Sequence, residues 1–127
     1  MAKVVLDASA LLAFINREPG AEKVTAVLGE AMISAVNLAE AVTKLALKNG
    51  STHRVLSELT ESELEVVDFD RPLAEATGLL AALTRGRGLS LGDRACLALA
   101  QRENATALTA DHAWRKVSLG IDIQFIR

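Results

Sequence analysis

Four acidic residues stand where short strand-like segments give way to helical ones. They are Asp7, Glu40, Asp93 and Asp111. In open parallel sheets, ligands bind beyond the carboxyl ends of the strands, so we expect acids in such places to converge at one edge. Carboxylates brought together repel one another unless a cation lies among them. A ligand set made only of oxygen atoms favours Mg²⁺ or Mn²⁺, so the spacing predicts a divalent-metal site.

Each of these acids also has a purely structural interpretation. Asp93 lies three residues after Ser90, which is the spacing of a capping box at the start of a helix. Asp111 would cap the short helix that follows it. Asp7, after the apolar run VVL, would be a turn residue, and Glu40 would be a surface residue, although its neighbours in NLAEAV are mostly apolar. The residue types alone leave the structural and metal-binding roles open.

Short apolar runs alternate with longer helical periodicities, which predicts an α/β chain. The predicted strands cover 3–6, 31–33, 64–69, 105–108 and 121–126, and the predicted helices cover 8–16, 21–28, 34–48, 52–59, 70–84, 94–102 and 112–117. Because helices separate the strands, we expect a mostly parallel central sheet of four to five strands with helices on both faces. This three-layer α/β/α arrangement would place Asp7 at the end of the first strand.

Length and composition bound the class of protein. The 127 residues, half of them hydrophobic, suffice for a single domain over 1–127 with a buried core. One cysteine and two histidines exclude an internal disulfide and a zinc site of the Cys/His type. The N-terminal segment has the pattern of neither a signal peptide nor a membrane span. We therefore expect a cytoplasmic protein with no membrane partner and a buried Cys96.

Charge bears on nucleic acid as a partner. A formal net charge of −2 argues against salt-driven binding of long nucleic acid, and an aromatic content of 3% argues against a base-stacking platform. Setting the four acids aside leaves 12 acidic and 14 basic residues, which is compatible with recognition of nucleic acid through a metal and a few arginines. Arg85 and Arg87, in the loop before Asp93, and His112, beside Asp111, are the candidate residues for binding such a nucleic acid, with a solvated surface as the alternative.

Four segments together carry a resemblance to a known family. In chain order, VVLDASALLAFI, SAVNLAEAV, LSLGDRACLALA and LTADHAW resemble the four acidic motifs of PIN-domain ribonucleases, and they are most similar to those of VapC-type toxins from toxin–antitoxin pairs. The resemblance covers essentially the whole chain. Each motif alone is weak, whereas the four in order are specific.

The resemblance implies a PIN-like fold and a Mg²⁺-dependent endoribonuclease, with Mn²⁺ as the other candidate metal. It makes Asp7, Glu40, Asp93 and Asp111 the catalytic metal ligands, with Ser9 and Thr109 as supporting hydroxyl residues. A bound Mg²⁺ would activate water for attack on the RNA phosphodiester and stabilise the leaving oxygen. The implied partners are an RNA substrate, a cognate antitoxin protein and a second copy of the chain in a homodimer.

Two other interpretations stay open at this point. A phospho-accepting receiver domain is also a small parallel α/β fold with an acidic Mg²⁺ pocket, and here it would use Asp7, an acceptor at Asp68 or Asp70, and Lys116. The second alternative is a PIN fold that has lost catalysis and serves only as a binding scaffold. The four acids argue against that scaffold.

Overall fold

A central parallel sheet organises the chain. The computed structural model describes residues 3–48, 50 and 52–127. Within them, the strands are β1 (Val4–Leu6), β2 (Ala31–Ser34), β3 (Glu65–Val67), β4 (Thr106–Thr109) and β5 (Ile123–Phe125). They lie in the order β3-β2-β1-β4-β5, and every pair is parallel. The predicted α/β class and five-stranded sheet are confirmed, so β1 lies between β2 and β4.

Six α-helices connect or flank these strands in the described part of the chain. They are α1 (Ala8–Asn16), α2 (Ala21–Val27), α3 (Ala35–Leu47), α4 (Thr52–Glu61), α5 (Arg71–Leu83) and α6 (Leu91–Glu103). Short 3₁₀ segments cover Leu28–Glu30 and His112–Lys116. The predicted end of the third helix near Asn49 lies outside the described residues, and α3 itself ends at Leu47.

Three predicted elements are longer or more regular than the observed ones. The strand predicted over 64–69 pairs only over Glu65–Val67, because β3 is an edge strand and Asp70 already caps the next helix. The strand predicted over 121–126 pairs only over Ile123–Phe125, on the opposite edge. The predicted final helix is a single 3₁₀ segment capped by Asp111.

The hydrophobic core lies in two layers, one on each face of the sheet. Val4 and Leu6 point to the face covered by α1 to α4, while Val5 points to the face covered by α5 and α6. This alternation follows from the two-residue period of a strand. Cys96 is fully enclosed in the second layer, as predicted, and so is Trp114. No α-helix within the described ranges is long and apolar enough to cross a membrane.

Candidate metal centre

Asp7 is the most enclosed of the four candidate acids. It follows β1 directly, caps the N-terminus of α1 and is only 4% exposed. Its Oδ1 accepts hydrogen bonds from the Ala10 amide at 2.8 Å and the Ser9 hydroxyl at 2.7 Å. Its Oδ2 accepts one from the Thr109 hydroxyl at 2.5 Å. A helix start and an adjacent strand therefore hold both oxygens of this carboxylate.

Opposing effects act on the pKa of the Asp7 carboxyl. Burial raises the pKa of its carboxyl above the ordinary value, and the nearby Asp93 carboxylate raises it further. Hydrogen bonds from Thr109, Ala10 and Ser9 oppose the rise, since they favour the ionised form. Within the described ranges, Asp7 forms no ion pair with Lys, Arg or His. A buried carboxylate without a cationic partner is costly, and a bound cation would remove that cost.

The two hydroxyl residues of the predicted site tie α1 to the turn after β4. Besides donating to Asp7, Thr109 accepts a hydrogen bond from the Asp111 amide at 3.0 Å. Ser9 accepts one from the Ala110 amide at 2.9 Å, and the Ser9 and Thr109 oxygens lie 3.3 Å apart. These contacts place both residues beside Asp7, and they fix the loop that leads to Asp111.

Glu40 reaches the same edge of the sheet from α3. Its Oε1 accepts a hydrogen bond from the Asn37 side-chain amide at 3.0 Å. The carboxylate lies against Gly92 in the first turn of α6, so closely that a side chain on that glycine would overlap it. Glu40 is thus held at the junction of α3 and α6, beside the residue that precedes Asp93.

Asp93 is at the third position of α6 and forms the predicted capping box with Ser90. Its Oδ2 accepts from the Ser90 amide at 2.9 Å, and its own amide donates to the Ser90 hydroxyl at 3.1 Å. The structural role considered for Asp93 is therefore present. The capping box still leaves Asp93 near the other acids. Burial raises the pKa of the Cys96 thiol, and the charges of Asp7, Asp93 and Glu40 raise it further, so these three carboxylates lie around the same thiol.

Asp111 lies at the margin of this group. It is exposed, and its Oδ1 accepts a hydrogen bond from the Ala113 amide at 2.9 Å, which caps the 3₁₀ segment. Its link to the other acids runs through its backbone amide and Thr109. The carboxylates whose charges reach Cys96 are those of Asp7, Asp93 and Glu40.

The acids share one edge of the sheet without forming a ready-made chelate. Among residues 3–48, 50 and 52–127, no three His, Cys, Asp or Glu side chains are placed closely enough to hold a metal ion. Glu40, Asp93 and Asp111 each direct a carboxylate oxygen to a hydrogen bond with their own surroundings. Binding of a metal by this set would require the Asp93 and Asp111 side chains to turn toward Asp7 and Glu40, which their own hydrogen bonds already hold in place.

Two residues of the site were missed by sequence reasoning. Asn37 is 1% exposed and joins Glu40 to Gly92, whose backbone oxygen accepts a second hydrogen bond from its amide at 2.9 Å. The sequence does hold a signal for Asn37: it lies three residues before Glu40, on the same helix face, in an apolar stretch. Gly92 carries no such signal, because its importance depends on the approach of another helix.

The candidate RNA-binding residues lie on the surface. Arg85 and Arg87 are exposed in the loop between α5 and α6. His112 is exposed as well, packs its ring 5.1 Å from that of Phe125, and contacts the Arg127 backbone oxygen and the Arg115 guanidinium through its two ring nitrogens. Their contact with RNA stays a prediction.

The receiver interpretation is wrong, because the strand order separates its acids. In receiver-type sheets, whose order is 2-1-3-4-5, the third strand lies next to the first. Here β2 lies between β3 and β1. Asp68 and Asp70 therefore follow an edge strand, Asp70 caps α5, and Lys116 lies in the 3₁₀ segment after β4.

Comparison with known proteins decides the family. The PIN domain family model matches residues 4–119, which is most of the chain and includes all four acids. The chain belongs to the PIN domain family. The predicted family and fold are thereby confirmed. No protein of curated function matches the sequence closely enough to count as a relative.

Solved structures share the fold of this PIN domain at low sequence identity. The DNA-bound VapBC of Salmonella typhimurium is 23% identical with a TM-score of 0.76, over 100% of both chains. A toxin–antitoxin complex from Klebsiella pneumoniae is 18% identical with a TM-score of 0.77, over 98% of both. Mycobacterium tuberculosis VapC20, described as a sarcin–ricin loop cleaving toxin, is 19% identical with a TM-score of 0.75, over 87% of this chain and 91% of that one.

Proposed function

We propose that this PIN domain is a metal-dependent endoribonuclease that hydrolyses RNA phosphodiester bonds with a metal-activated water. The observation that carries the proposal is the Asp7 carboxylate, buried, held by three hydrogen-bond donors and close to a second acid, with no cationic partner in the described chain. A structural capping residue does not require this burial. Buried carboxylates with a perturbed environment and no charge partner are instead typical of functional sites.

The donor chemistry fits Mg²⁺ or Mn²⁺. Asp7, Glu40 and Asp93 supply carboxylate oxygens at one edge of the sheet, and Asp111 is the fourth candidate ligand. The neighbouring Cys96 thiol is fully buried and its pKa is raised, so it stays protonated beneath the site. When bound, the metal would lower the pKa of a coordinated water and stabilise charge on the phosphate. Ser9 and Thr109 would keep Asp7 ionised and aimed at that position.

A groove beside Asp7 supports RNA as the substrate. Its volume is about 420 Å³, and its lining includes Ser9, Leu12, Leu45, Lys44 and Lys48. Ser9, which donates to Asp7, also lines this groove, so the groove adjoins the site at the start of α1. Within the described ranges, Lys44 and Lys48 form no ion pair. Their ammonium groups would contact the phosphates of an RNA strand whose scissile bond lies at Asp7. The apolar wall of the groove, formed by Leu12 and Leu45, would contact ribose or base.

We further propose that the enzyme is a toxin restrained by an antitoxin and that it forms a homodimer. Structures with the same fold are described as VapBC or toxin–antitoxin complexes, which supports a protein inhibitor. Leu79 and Leu83 on α5 are 74% and 70% exposed, which supports a second copy or another protein covering that helix. Co-purification with the product of a neighbouring short reading frame, and loss of cleavage on its addition, would support the toxin assignment.

The decisive experiment is cleavage of a labelled structured RNA in Mg²⁺. Wild type and Asp68→Ala should cut it, because Asp68 follows the edge strand β3, which β2 separates from β1 and Asp7. Asp7→Ala, and wild type in EDTA, should not. Equal cutting by Asp7→Ala would contradict the site assignment. Absence of cutting by wild type in both Mg²⁺ and Mn²⁺ would instead favour the non-catalytic scaffold.

A further inference from the structure

We infer that Asn37 and Gly92 are positioning residues that hold the Glu40 carboxylate in the metal site, an inference that rests on the proposed function. Asn37 is on α3 and Gly92 is on α6, two helices from opposite faces of the sheet. They meet beyond the carboxyl end of β2. Glu40 is the one candidate acid that comes from the middle of a helix, so its reach depends on what its side chain contacts.

The Asn37 amide makes two hydrogen bonds that join these helices. Its Nδ2 donates to Glu40 Oε1 at 3.0 Å and to the Gly92 backbone oxygen at 2.9 Å. Both acceptors lack a proton to give, so the amide nitrogen, and not the amide oxygen, must face them. The side chain therefore acts as a bridge with a single permitted orientation.

That orientation leaves the other end of the amide unsatisfied. Asn37 Oδ1 is buried and has no hydrogen-bond partner among the described residues. Most buried side-chain polar atoms in proteins are paired, so this arrangement has a cost that a smaller apolar residue would avoid. The cost is explained if the amide is retained for its contact with Glu40.

Gly92 supplies the space into which Glu40 fits. A Cβ atom built on this residue would overlap all three atoms of the Glu40 carboxyl group. The obstructed atoms are the far end of a flexible side chain, so the backbone can accept alanine if the carboxylate moves away. A methyl group at Gly92 would therefore displace Glu40 and leave the fold in place.

This geometry provides a selective test with a matched control. Gly78 is also a helical glycine, on α5, and a Cβ there would meet nothing. Gly92→Ala should weaken Mn²⁺ binding, measured by calorimetry, by about 10-fold or more, which is the usual effect of removing a residue that orients a metal ligand. Its metal-free melting temperature should not fall. Gly78→Ala should leave Mn²⁺ affinity unchanged.

The role of Asn37 is tested through its dependence on Glu40. Asn37→Ala should lower Mn²⁺ affinity in the wild-type background and cause no further loss in a Glu40→Ala background. A separate readout is the side-chain amide signal of Asn37 in metal-free protein, which should shift in both Glu40→Ala and Gly92→Ala. If Asn37→Ala lowers Mn²⁺ affinity by the same factor in the wild-type and Glu40→Ala backgrounds, Asn37 does not act through Glu40 and the inferred role is wrong.

The test also separates this inference from the proposed function. If wild type neither binds Mn²⁺ nor cuts RNA, the proposed function fails, while a shifted Asn37 amide signal in Gly92→Ala still supports the positioning of Glu40. If wild type binds Mn²⁺ and Gly92→Ala binds it equally well with an unshifted amide signal, the positioning inference is wrong and the proposed function stands.

Discussion

Asp7 shows how one residue meets two opposing demands. As the N-cap of α1, Asp7 must accept a hydrogen bond from the Ala10 amide. An uncharged oxygen would be enough for this capping role. As the proposed metal ligand it would have to be ionised, although burial and the Asp93 charge raise its pKa. The Ser9 and Thr109 hydroxyls reduce this conflict without removing it. With the proposed function, stability and activity would be opposed at this position.

Asp7→Asn is expected to stabilise the metal-free protein and to abolish cleavage. The amide keeps the cap and the shape of the carboxylate but carries no charge. Because the pKa of Asp7 is raised in the folded state above 3.8, the cost of its charge is fully present above the folded pKa and absent below the unfolded one. The advantage of Asp7→Asn should therefore be largest at neutral pH and shrink on acidification. Urea denaturation in EDTA at several pH values measures it.

Asp7→Ala is the control for this prediction. It removes the charge and the cap together, so it should gain less stability than Asp7→Asn at neutral pH and should be the less stable of the two throughout. A metal-free Asp7→Asn protein less stable than wild type at neutral pH would show that the buried charge is not the dominant cost.

At the scale of elements, capping side chains decide where the helices begin. Ser34, Asp70 and Ser90 each accept a hydrogen bond from a backbone amide in the first turn of α3, α5 and α6. Such a cap satisfies an amide that has no partner within the helix. The caps of α3 and α6 lie near the acids, whereas Asp70 follows the edge strand β3. The same local device thus serves both the site and the remote parts of the fold.

Asp70→Ala is expected to lower stability without affecting catalysis. Loss of the hydrogen bond to the Leu73 amide, 3.0 Å in length, should cost about 1 kcal/mol. This corresponds to a fall of roughly 3–5 °C in melting temperature for a domain of this size. Calorimetry and the RNA cleavage assay test the two halves of the prediction. Loss of cleavage at a temperature where the variant is folded would contradict the assignment of the site to β1.

At the scale of the whole molecule, strand order determines which residues meet. Helices cover both faces of the sheet, and β1 lies between β2 and β4, so Asp7 has a strand end on either side. Thr109 comes to Asp7 from β4, and Glu40 comes from the helix that follows β2. The groove with Lys44 and Lys48 then extends from this edge between α1 and α3.

Lys44→Gln combined with Lys48→Gln is expected to weaken RNA binding and leave the chemical step intact. The Michaelis constant should rise several-fold with kcat nearly unchanged, the pattern of weakened ground-state binding. The slope of log affinity against log salt should become shallower by about 1 for each lysine that no longer pairs with a phosphate. Lys23→Gln is the matched control, since Lys23 lines a different cavity, together with Val4 and Thr106. Equal effects of both variants would contradict the proposed path of the RNA.

Much of this protein follows from local sequence. The two-residue and 3.6-residue periods indicate the strands and helices, and capping residues indicate helix starts, because both signals arise between a side chain and the backbone beside it. They place Asp7, Asp93 and Asp111 near the ends of strands or the starts of helices, and Glu40 within the helix that follows the second strand. The weakest predictions are the edge strands 64–69 and 121–126, where pairing on one side ends sooner than the apolar pattern does.

The site itself required the tertiary structure. The hydrogen bond from Thr109 to Asp7 joins residues 102 positions apart, and that from Asn37 to Gly92 joins residues 55 apart. No local period encodes such contacts, because they depend on strand order and on which helices meet at the carboxyl edge of the sheet. The same order excluded the receiver arrangement and revealed the space at Gly92. Residue types along the chain thus specify the acids, and the packing of the chain specifies their neighbours, their burial and their charge.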